Sequence, residues 1–316
     1  MLAASKIRDG FANGKARSTS LTNYYLYAVW LLVYALLSIP VAGTRISHRV
    51  QSVGDFFVQL VAPDTPLWFV FALAVYVPVL ALCRRLPAVA VLAALAGLSI
   101  FTLLMIPSGD PGQWWKLPEL AFFFAVGVYG KTLLLHIAEA RKLVCGAVAI
   151  PAFLGLSVLS FALNLPLAVE QVVFILRGLA AVVALVAVIS ALTKNRVMAA
   201  AGSWVGKRTL GIYLLHTPVL DVIVLAFQGP LHPAAPVIAN SVPLALIYPL
   251  ALTAAVVSMC IALEYFFKKC GLGFLFRRPQ AGSASRHRQP VLLPALVHRS
   301  ARLSRNTNVA ASADPE

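Results

Sequence analysis

Charged side chains are scarce in this sequence, and their scarcity excludes an ordinary soluble fold. Asp, Glu, Lys and Arg make up 12% of the 316 residues, whereas hydrophobic residues make up 60%. A typical soluble domain is about a quarter charged and about half apolar. A water-soluble core cannot absorb so much apolar surface, so the composition predicts a protein that lies in a lipid bilayer.

The apolar runs also lack the alternation of polar and apolar residues that membrane β-strands show. In lipid, a backbone satisfies its hydrogen bonds only as a helix or as a closed barrel. Runs without alternation therefore indicate helices. We predict an all-α, polytopic integral membrane protein.

The signatures of several common enzyme classes are missing. The sequence has no glycine-rich phosphate-binding loop, no zinc-protease motif and no Gly-x-Ser-x-Gly elbow, which argues against an ATPase, a zincin and a classical lipase. The cysteines lack the paired spacing of a metal site and are most simply small core residues. They are Cys83, Cys145, Cys260 and Cys270. No metal site is predicted.

Apolar stretches of transmembrane length recur along the chain. About 20 apolar residues cross a hydrocarbon core of about 30 Å. Eight stretches qualify, at residues 22–43, 66–82, 87–106, 117–135, 143–163, 172–192, 209–227 and 242–266. The chain therefore divides into a basic amino-terminal segment (1–21), a transmembrane domain (22–267) and a basic tail (268–316) that we expect to be disordered. Residues 50–62, in the longest outer loop, are a candidate interfacial helix.

The net charge of +15 is distributed in a way that predicts the topology. Basic residues collect before the first stretch, between the second and third, after the fourth, between the sixth and seventh, and after the eighth. Because Lys and Arg concentrate in cytoplasmic loops, both termini are predicted to be cytoplasmic. The charge is a topology signal, and no nucleic-acid partner is predicted.

A stripe of polar residues runs along the seventh predicted span. Tyr213, Thr217 and Asp221 are four residues apart and His216 follows Tyr213 by three, so a helix gathers them on one side. Counted from Arg208, His216 lies about 12 Å inside the membrane at about 1.5 Å per residue. Its imidazole can act as a general base, with Asp221 or Tyr213 fixing the tautomer. The alternative is a histidine that only joins helices by a hydrogen bond, with Asp221 facing water near a loop.

Other polar or aromatic residues carry similar alternatives. Arg177 lies inside the sixth span, seven residues after Glu170; it can pair with Glu170, snorkel or hold a substrate anion. Glu264 is followed four residues later by a lysine, the spacing of a solvated ion pair. Trp68 and Trp114 fall at predicted outer boundaries, where tryptophans either anchor in the interface or stack on a sugar.

Three stretches match the motifs of a known family, in its order. Residues 204–219 read WVGKRTLGIYLLHTPV, similar to a late helix ending in Tyr-Leu-x-His-x-Pro. Residues 66–73 read PLWFVFAL, similar to a Pro-Leu-Trp-Phe-Leu helix start, and residues 122–127 read FFFAVG, similar to a Phe-Phe-x-x-Gly helix. Together they resemble the acyltransferase 3 family, particularly its fucose 4-O-acetylase-like branch.

The resemblance implies a membrane O-acyltransferase of the bacterial inner membrane. Such an enzyme takes an acyl group, commonly acetyl, from a cytoplasmic donor, usually acetyl-CoA, and places it on a carbohydrate, a lipid-linked glycan or another envelope hydroxyl. The basic residues Lys207 and Arg208 could attract the anionic donor, and the acceptor sugar would enter near the tryptophans. The site residues assigned on this basis are catalytic His216 and Asp221 and substrate-binding Tyr213, Trp68, Arg208 and Arg177.

The start of the chain departs from the family pattern. Family members normally have ten helices, of which the first carries an Arg and then a His regarded as the catalytic centre. Residues 1–23 supply no such helix. Losing two crossings leaves both termini cytoplasmic. Three explanations stay open: a misassigned start, a degenerate relative, or a larger role for His216.

A second class of function also stays open. A non-catalytic transporter, or a carrier of a lipid-linked sugar, uses intramembrane polar groups to line a path. Transporters of this size often contain internal repeats. No convincing repeat relates the first four predicted spans to the last four.

Overall fold

The protein is built from α-helices throughout the residues that the computed structural model describes, which are 14–38, 50–105, 112–163, 165–228 and 241–279. No β-strand occurs in these ranges, so the all-α prediction is confirmed. The helices are α1 (Lys15–Ser38), α2 (Val53–Gln59), α3 (Trp68–Leu82), α4 (Ala88–Met105), α5 (Lys116–Tyr129), α6 (Lys131–His136), α7 (Lys142–Ala162), α8 (Leu167–Leu192), α9 (Arg196–Gly206), α10 (Thr209–Gln228) and α11 (Val242–Lys269). From residue 280 onward, the tail predicted to be disordered lies outside the described residues.

Several of these helices are long and apolar enough to cross a bilayer. Within the described ranges they are Ala16–Leu37, Trp68–Arg85, Leu143–Ala162, Leu167–Leu192, Thr209–Gln228 and Leu246–Lys269, six in all. A seventh crossing exists if the bent pair Gln113–Tyr129 and Lys131–Glu139 counts as one span. The apolar part of α4, Ala88–Thr102, is shorter. The multi-pass architecture is confirmed, while the count of eight stays a prediction.

The fourth predicted span is not straight. The axes of its two halves are bent by 65° relative to each other, next to Gly130. The N–H of Gly130 donates to the Val126 carbonyl at 2.8 Å. A Cβ on Gly130 would lie 2.6 Å from that same oxygen, so the bend requires a residue without a side chain. The apolar stretch predicted at 117–135 is therefore helical but bent, and its crossing of the membrane stays a prediction.

Helices α1 and α3 pack antiparallel, and a proline in α3 explains one of their contacts. Pro78 has no N–H, so the carbonyl of Ala74, four residues earlier, has no helical partner. The Ser20 hydroxyl of α1 donates to this carbonyl at 2.5 Å. The edge-to-face contact of Tyr27 with Phe71, with ring centroids 5.1 Å apart, lies further along the same interface.

The short helix α2 forms where an interfacial helix was predicted, but it packs against α1. The Tyr24 hydroxyl donates to the Leu60 carbonyl at 3.3 Å, and the Tyr27 hydroxyl donates to the Gln59 carbonyl. The last carbonyls of a helix have no partner within it, and two tyrosines three residues apart on α1 are placed to satisfy them. Tyr27 is about 16 Å before the end of α1 at Ser38. The segment 50–67 therefore folds back along α1; a helix does form within 50–62, and its interfacial position stays a prediction.

Helices α4, α5 and α8 are joined by one buried hydroxyl. Ser99 of α4 donates to the Glu119 carbonyl of α5 at 2.9 Å and lies 2.7 Å from the side-chain amide nitrogen of Gln171 on α8. Both Ser99 and Gln171 are fully buried. Helix α8 also packs along α7.

Helix α11 packs against α10, and the chain that follows it returns to α1. Gly271 adopts a φ of 81°, which turns the backbone into a 3₁₀ segment, Leu272–Leu275. The Trp30 indole N–H donates to the Leu275 carbonyl at 2.7 Å. The side chains of Trp30 and Phe276 are buried together in the main hydrophobic cluster. Helix α1 is thus in contact with α2, α3, α10 and this segment.

Candidate active site on α10

The histidine of α10 has a defined proton position. Nδ1 of His216 lies 2.5 Å from the carbonyl oxygen of Tyr213, three residues earlier in the same helix. A carbonyl oxygen only accepts hydrogen bonds, so Nδ1 donates here, and in the neutral imidazole the lone pair is on Nε2. The imidazole is half-buried, and Nε2 is the atom that can take up a proton.

The hydroxyl of Thr217 lies between two partners. Its Oγ1 is 3.3 Å from Nε2 of His216, and it also reaches the Tyr34 hydroxyl. A threonine hydroxyl has one proton, so it donates either to the imidazole or to the tyrosine oxygen. Rotation toward Tyr34 leaves the lone pair of Nε2 available to a substrate.

A proline explains why Tyr34 is close to this histidine. Pro218 lies inside α10 and has no N–H, so the Leu214 carbonyl lacks its helical partner. The Tyr34 hydroxyl of α1 donates to that carbonyl at 3.1 Å. In lipid no water replaces a missing partner, so this bond fixes α1 against the turn that carries His216.

An aromatic row connects α10 to the start of α3. The ring centroids of His216 and Tyr213 are 5.3 Å apart, those of Tyr213 and Phe69 are 5.6 Å apart, and those of Phe69 and Trp68 are 5.9 Å apart. The Tyr213 hydroxyl donates to the Pro66 carbonyl. The structure therefore brings together three of the predicted site residues, His216, Tyr213 and Trp68.

This contact differs from the predicted topology. That topology places Pro66 at the outer surface and Tyr213 near the inner surface, on opposite sides of the bilayer. In the structure the two residues are hydrogen-bonded. The segment 50–67, which folds back along α1, carries the start of α3 into the bundle. Placing Trp68 and Tyr213 at opposite boundaries is therefore wrong.

The far side of Trp68 faces the start of α5. The Lys116 ammonium lies 5.7 Å from the centroid of the Trp68 ring. The indoles of Trp114 and Trp115 stack on each other at 4.1 Å. Trp114 is therefore near the start of α5, the end that Trp68 faces, and is 41% exposed. Both tryptophans are predicted from the sequence as candidates for stacking on a sugar.

A groove of about 780 Å³ lies beside the start of α10. Its walls come from the end of α9, the two residues before α10, and the last turns of α11. Its cations are Lys207, Arg208 and Lys268. The Arg208 guanidinium stacks on Trp204 with its central carbon 4.2 Å from the ring centroid, and Nη1 donates to the Trp204 carbonyl at 3.0 Å. Arg208 is therefore held in place before any substrate arrives.

The acidic residue of this groove is buried. Glu264 pairs with Lys268 as predicted, but it is only 7% exposed, so the prediction of a solvated pair is wrong. Gly211 makes the burial possible, because a Cβ there would lie 2.6 Å from Oε2 of Glu264. The carboxylate therefore occupies the space that any larger residue at position 211 would fill.

Of the remaining predicted site residues, Arg177 lies apart from the cluster around His216, whereas Asp221 lies near Tyr34 of that cluster. Arg177 lies on α8, with its guanidinium carbon 5.9 Å from the Phe174 ring centroid, and no ion pair joins it to Glu170 in the described structure. Asp221 lies one turn beyond Thr217, but the hydrogen bonds of His216 go to Tyr213 and Thr217. The tautomer is fixed by the Tyr213 backbone carbonyl, whereas the sequence pointed to the Asp221 or Tyr213 side chain.

Sequence reasoning missed Tyr34 and Pro66. Pro218 is a local signal, since a proline in a helix frees the carbonyl four residues before it. The residue that satisfies this carbonyl is 180 positions away in the chain, and Pro66 is 147 positions from Tyr213. Pro66 begins the PLWFVFAL motif, but nothing in that motif or around Tyr34 indicates which residue of α10 each one contacts.

The fold is that of a multi-pass membrane protein, with a half-buried histidine within its helical bundle. The acyltransferase domain that defines the acyltransferase 3 family matches residues 7–264, and the chain belongs to this family. The match covers every helix except the last residues of α11. No curated protein and no solved structure matches the chain. The family and the apolar helices together indicate a membrane acyltransferase.

Proposed function

We propose that this acyltransferase moves an acyl group, acetyl in the simplest case, from acyl-CoA on the cytoplasmic side to a hydroxyl of a cell-envelope carbohydrate or lipid-linked glycan. Family membership supports acyl transfer. The observation that carries the assignment to α10 is the contact of His216 Nδ1 with the Tyr213 carbonyl, which leaves Nε2, beside Thr217, as the atom that can act as a base. The apolar helices and the resemblance support a place in the bacterial inner membrane. The proposed partners there are membrane lipids, and no nucleic-acid partner is proposed.

In the proposed reaction His216 is the general base. Nε2 accepts the proton of the acceptor hydroxyl while the hydroxyl oxygen attacks the thioester carbonyl carbon. The carbon–sulfur bond breaks, the new ester forms, and the CoA thiolate takes the proton back from Nε2. The Tyr213 carbonyl stabilises the positively charged imidazolium between these steps, because it accepts the Nδ1 proton.

The aromatic row is the proposed acceptor surface. A sugar presents apolar C–H faces that stack on indole rings, and Trp68 is half-buried within three ring contacts of His216. Tyr213 is proposed to line the same surface. Asp221 and Arg177 stay predicted site residues: Asp221 as a carboxylate one turn from Thr217, and Arg177 as an anion-binding residue on α8.

Positive charge next to α10 is the proposed attraction for the donor. Lys207 and Arg208 are five to six residues before Tyr213, and the phosphates of acyl-CoA are anionic. The Arg208 guanidinium is already oriented by its stacking on Trp204, so less side-chain freedom is lost when an anion binds.

The test compares His216→Ala with a second histidine variant in proteoliposomes that contain labelled acetyl-CoA and extracted envelope glycan. Loss of the base is expected to lower acetyl transfer by about 100-fold or more. His136→Ala is the matched control, because His136 is exposed at the end of α6 and is expected to leave the rate unchanged. The same pair is tested for rescue of glycan acetylation in a deletion strain.

Equal transfer by wild type and His216→Ala would remove this residue from the mechanism. Movement of glycan across the proteoliposome bilayer without any acyl donor would instead support the carrier function.

A further inference from the structure

Helix α9 is a short apolar helix whose residues are mostly exposed in the part of the chain that the structure describes. It connects α8 to α10, and Val197, Met198, Trp204 and Val205 are 69%, 50%, 47% and 38% exposed. Val197, Ala200, Ala201 and Trp204 are spaced three, four and seven residues apart, so they form one apolar stripe. The same side chains line a shallow groove of about 560 Å³ together with Arg196.

The position of α9 in the chain restricts what can cover this stripe. Span α8 ends at Leu192 and span α10 begins at Thr209. The residues that connect them therefore lie at the membrane surface, between two crossings. A helix with one apolar stripe at that place lies in the interface plane, with the stripe toward the acyl chains.

The charge of the connection is of one sign. Residues 193–208 contain Lys194, Arg196, Lys207 and Arg208 and no Asp or Glu. Lys194 is exposed, and Arg196 is exposed in the wall of the groove. Neither has an ion-pair partner within the described ranges. Basic residues at this position are attracted to an anionic leaflet.

We infer that α9 is a binding site for an anionic phospholipid. The phosphate of the lipid lies against Lys194 and Arg196 at the amino end of α9, and its acyl chains cover Val197, Ala200, Ala201 and Trp204. A zwitterionic lipid covers the apolar stripe equally well but leaves the two cations without compensation. The site is therefore selective for head-group charge.

The lipid site is linked to the start of α10. Trp204, at the far end of the stripe, holds the Arg208 guanidinium through its ring and its backbone carbonyl. A lipid that fixes Trp204 in the interface therefore also fixes the first residues of the helix that carries His216.

The experiment measures the quenching of Trp204 fluorescence by brominated lipids around the full-length protein in vesicles. The signal of Trp204 is the difference between the wild type and Trp204→Phe. Brominated phosphatidylglycerol and brominated phosphatidylcholine are each added to unbrominated phosphatidylcholine at the same mole fraction. We expect the anionic lipid to quench Trp204 at least about twofold more than the zwitterionic lipid.

Charge neutralisation tests the two cations. Lys194→Gln combined with Arg196→Gln is expected to bring the quenching ratio of the two lipids to about one, while the quenching by phosphatidylcholine stays the same because the apolar stripe is intact. Arg84→Gln combined with Arg85→Gln removes the same charge from the exposed end of α3 and is expected to keep the wild-type ratio. A ratio of one in the wild type, no quenching by either lipid, or an equal effect of both double variants would overturn the inference.

Discussion

Among the side-chain groups of α1, the Tyr34 hydroxyl affects the geometry around His216 most directly. It satisfies the Leu214 carbonyl that Pro218 leaves without a partner, and it competes with His216 for the proton of Thr217. Tyr34→Phe is expected to destabilise the protein by about 1 to 3 kcal/mol, the cost of a buried acceptor without a donor. Thermal unfolding in detergent measures this loss.

Pro218→Ala provides the matched test of the cause. Alanine restores an N–H at position 218 and therefore a helical donor for the Leu214 carbonyl. In that background Tyr34→Phe is expected to cost little, so the two changes are strongly non-additive. Additive costs would show that the tyrosine stabilises the protein through some contact other than this carbonyl.

The parts of the site that sequence predicts are those that one helix determines. Tyr213, His216 and Thr217 follow from helical spacing, and the structure finds them in contact. The spacing cannot reveal which atom fixes the imidazole. It pointed to Asp221 or Tyr213, and the carbonyl of Tyr213 is what holds Nδ1.

Among the helices, α2 shows how tertiary contacts position a short element that the local pattern predicts. Its terminal carbonyls accept hydrogen bonds from Tyr24 and Tyr27, which hold the whole segment 50–67 against α1. Tyr27→Phe removes one of these donors. Hydrogen exchange of the amides in residues 50–67 is expected to rise by about fivefold to tenfold, equivalent to about 1 kcal/mol of local stability.

Tyr25→Phe is the control for this element. The Tyr25 hydroxyl donates to the Phe274 carbonyl at 3.3 Å and so points to the segment after α11, not to α2. Its loss is expected to leave the exchange of residues 50–67 unchanged. If both variants raise exchange there to the same extent, α2 is held by general packing and not by the Tyr27 hydrogen bond.

The helices themselves were predictable because an apolar run of sufficient length has only one way to satisfy its backbone in lipid. Helices occur at all eight predicted stretches. The bend at Gly130 and the fold-back of α2 were not predictable. The first depends on one close approach of Gly130 to a carbonyl, and the second on tyrosines more than 30 residues away.

At the scale of the whole molecule, α1 connects α2, α3, α10 and the segment after α11. This helix supplies Ser20 and Tyr34 to carbonyls freed by prolines in two other helices, and Trp30 to the chain after α11. Apolar packing between membrane helices has little net driving force, because lipid is as apolar as a side chain. Hydrogen bonds from one helix to several neighbours therefore determine which helices meet.

The arrangement around α1 makes a prediction about which ends of α3 and α10 are neighbours. The charge pattern alone puts the start of α3 and the start of α10 on opposite sides of the bilayer, so that the end of α3 would be near Tyr213. The structure puts Phe69, at the start of α3, 5.6 Å from Tyr213.

In a background without the four cysteines, Phe69→Cys with Tyr213→Cys is expected to react with a thiol cross-linker that spans about 10 Å. Val79→Cys with Tyr213→Cys is not, because Val79 is about 15 Å further along α3. Mass spectrometry of the linked peptides distinguishes the pairs. The reverse result would separate Trp68 from His216 and remove the aromatic row from the proposed acceptor surface.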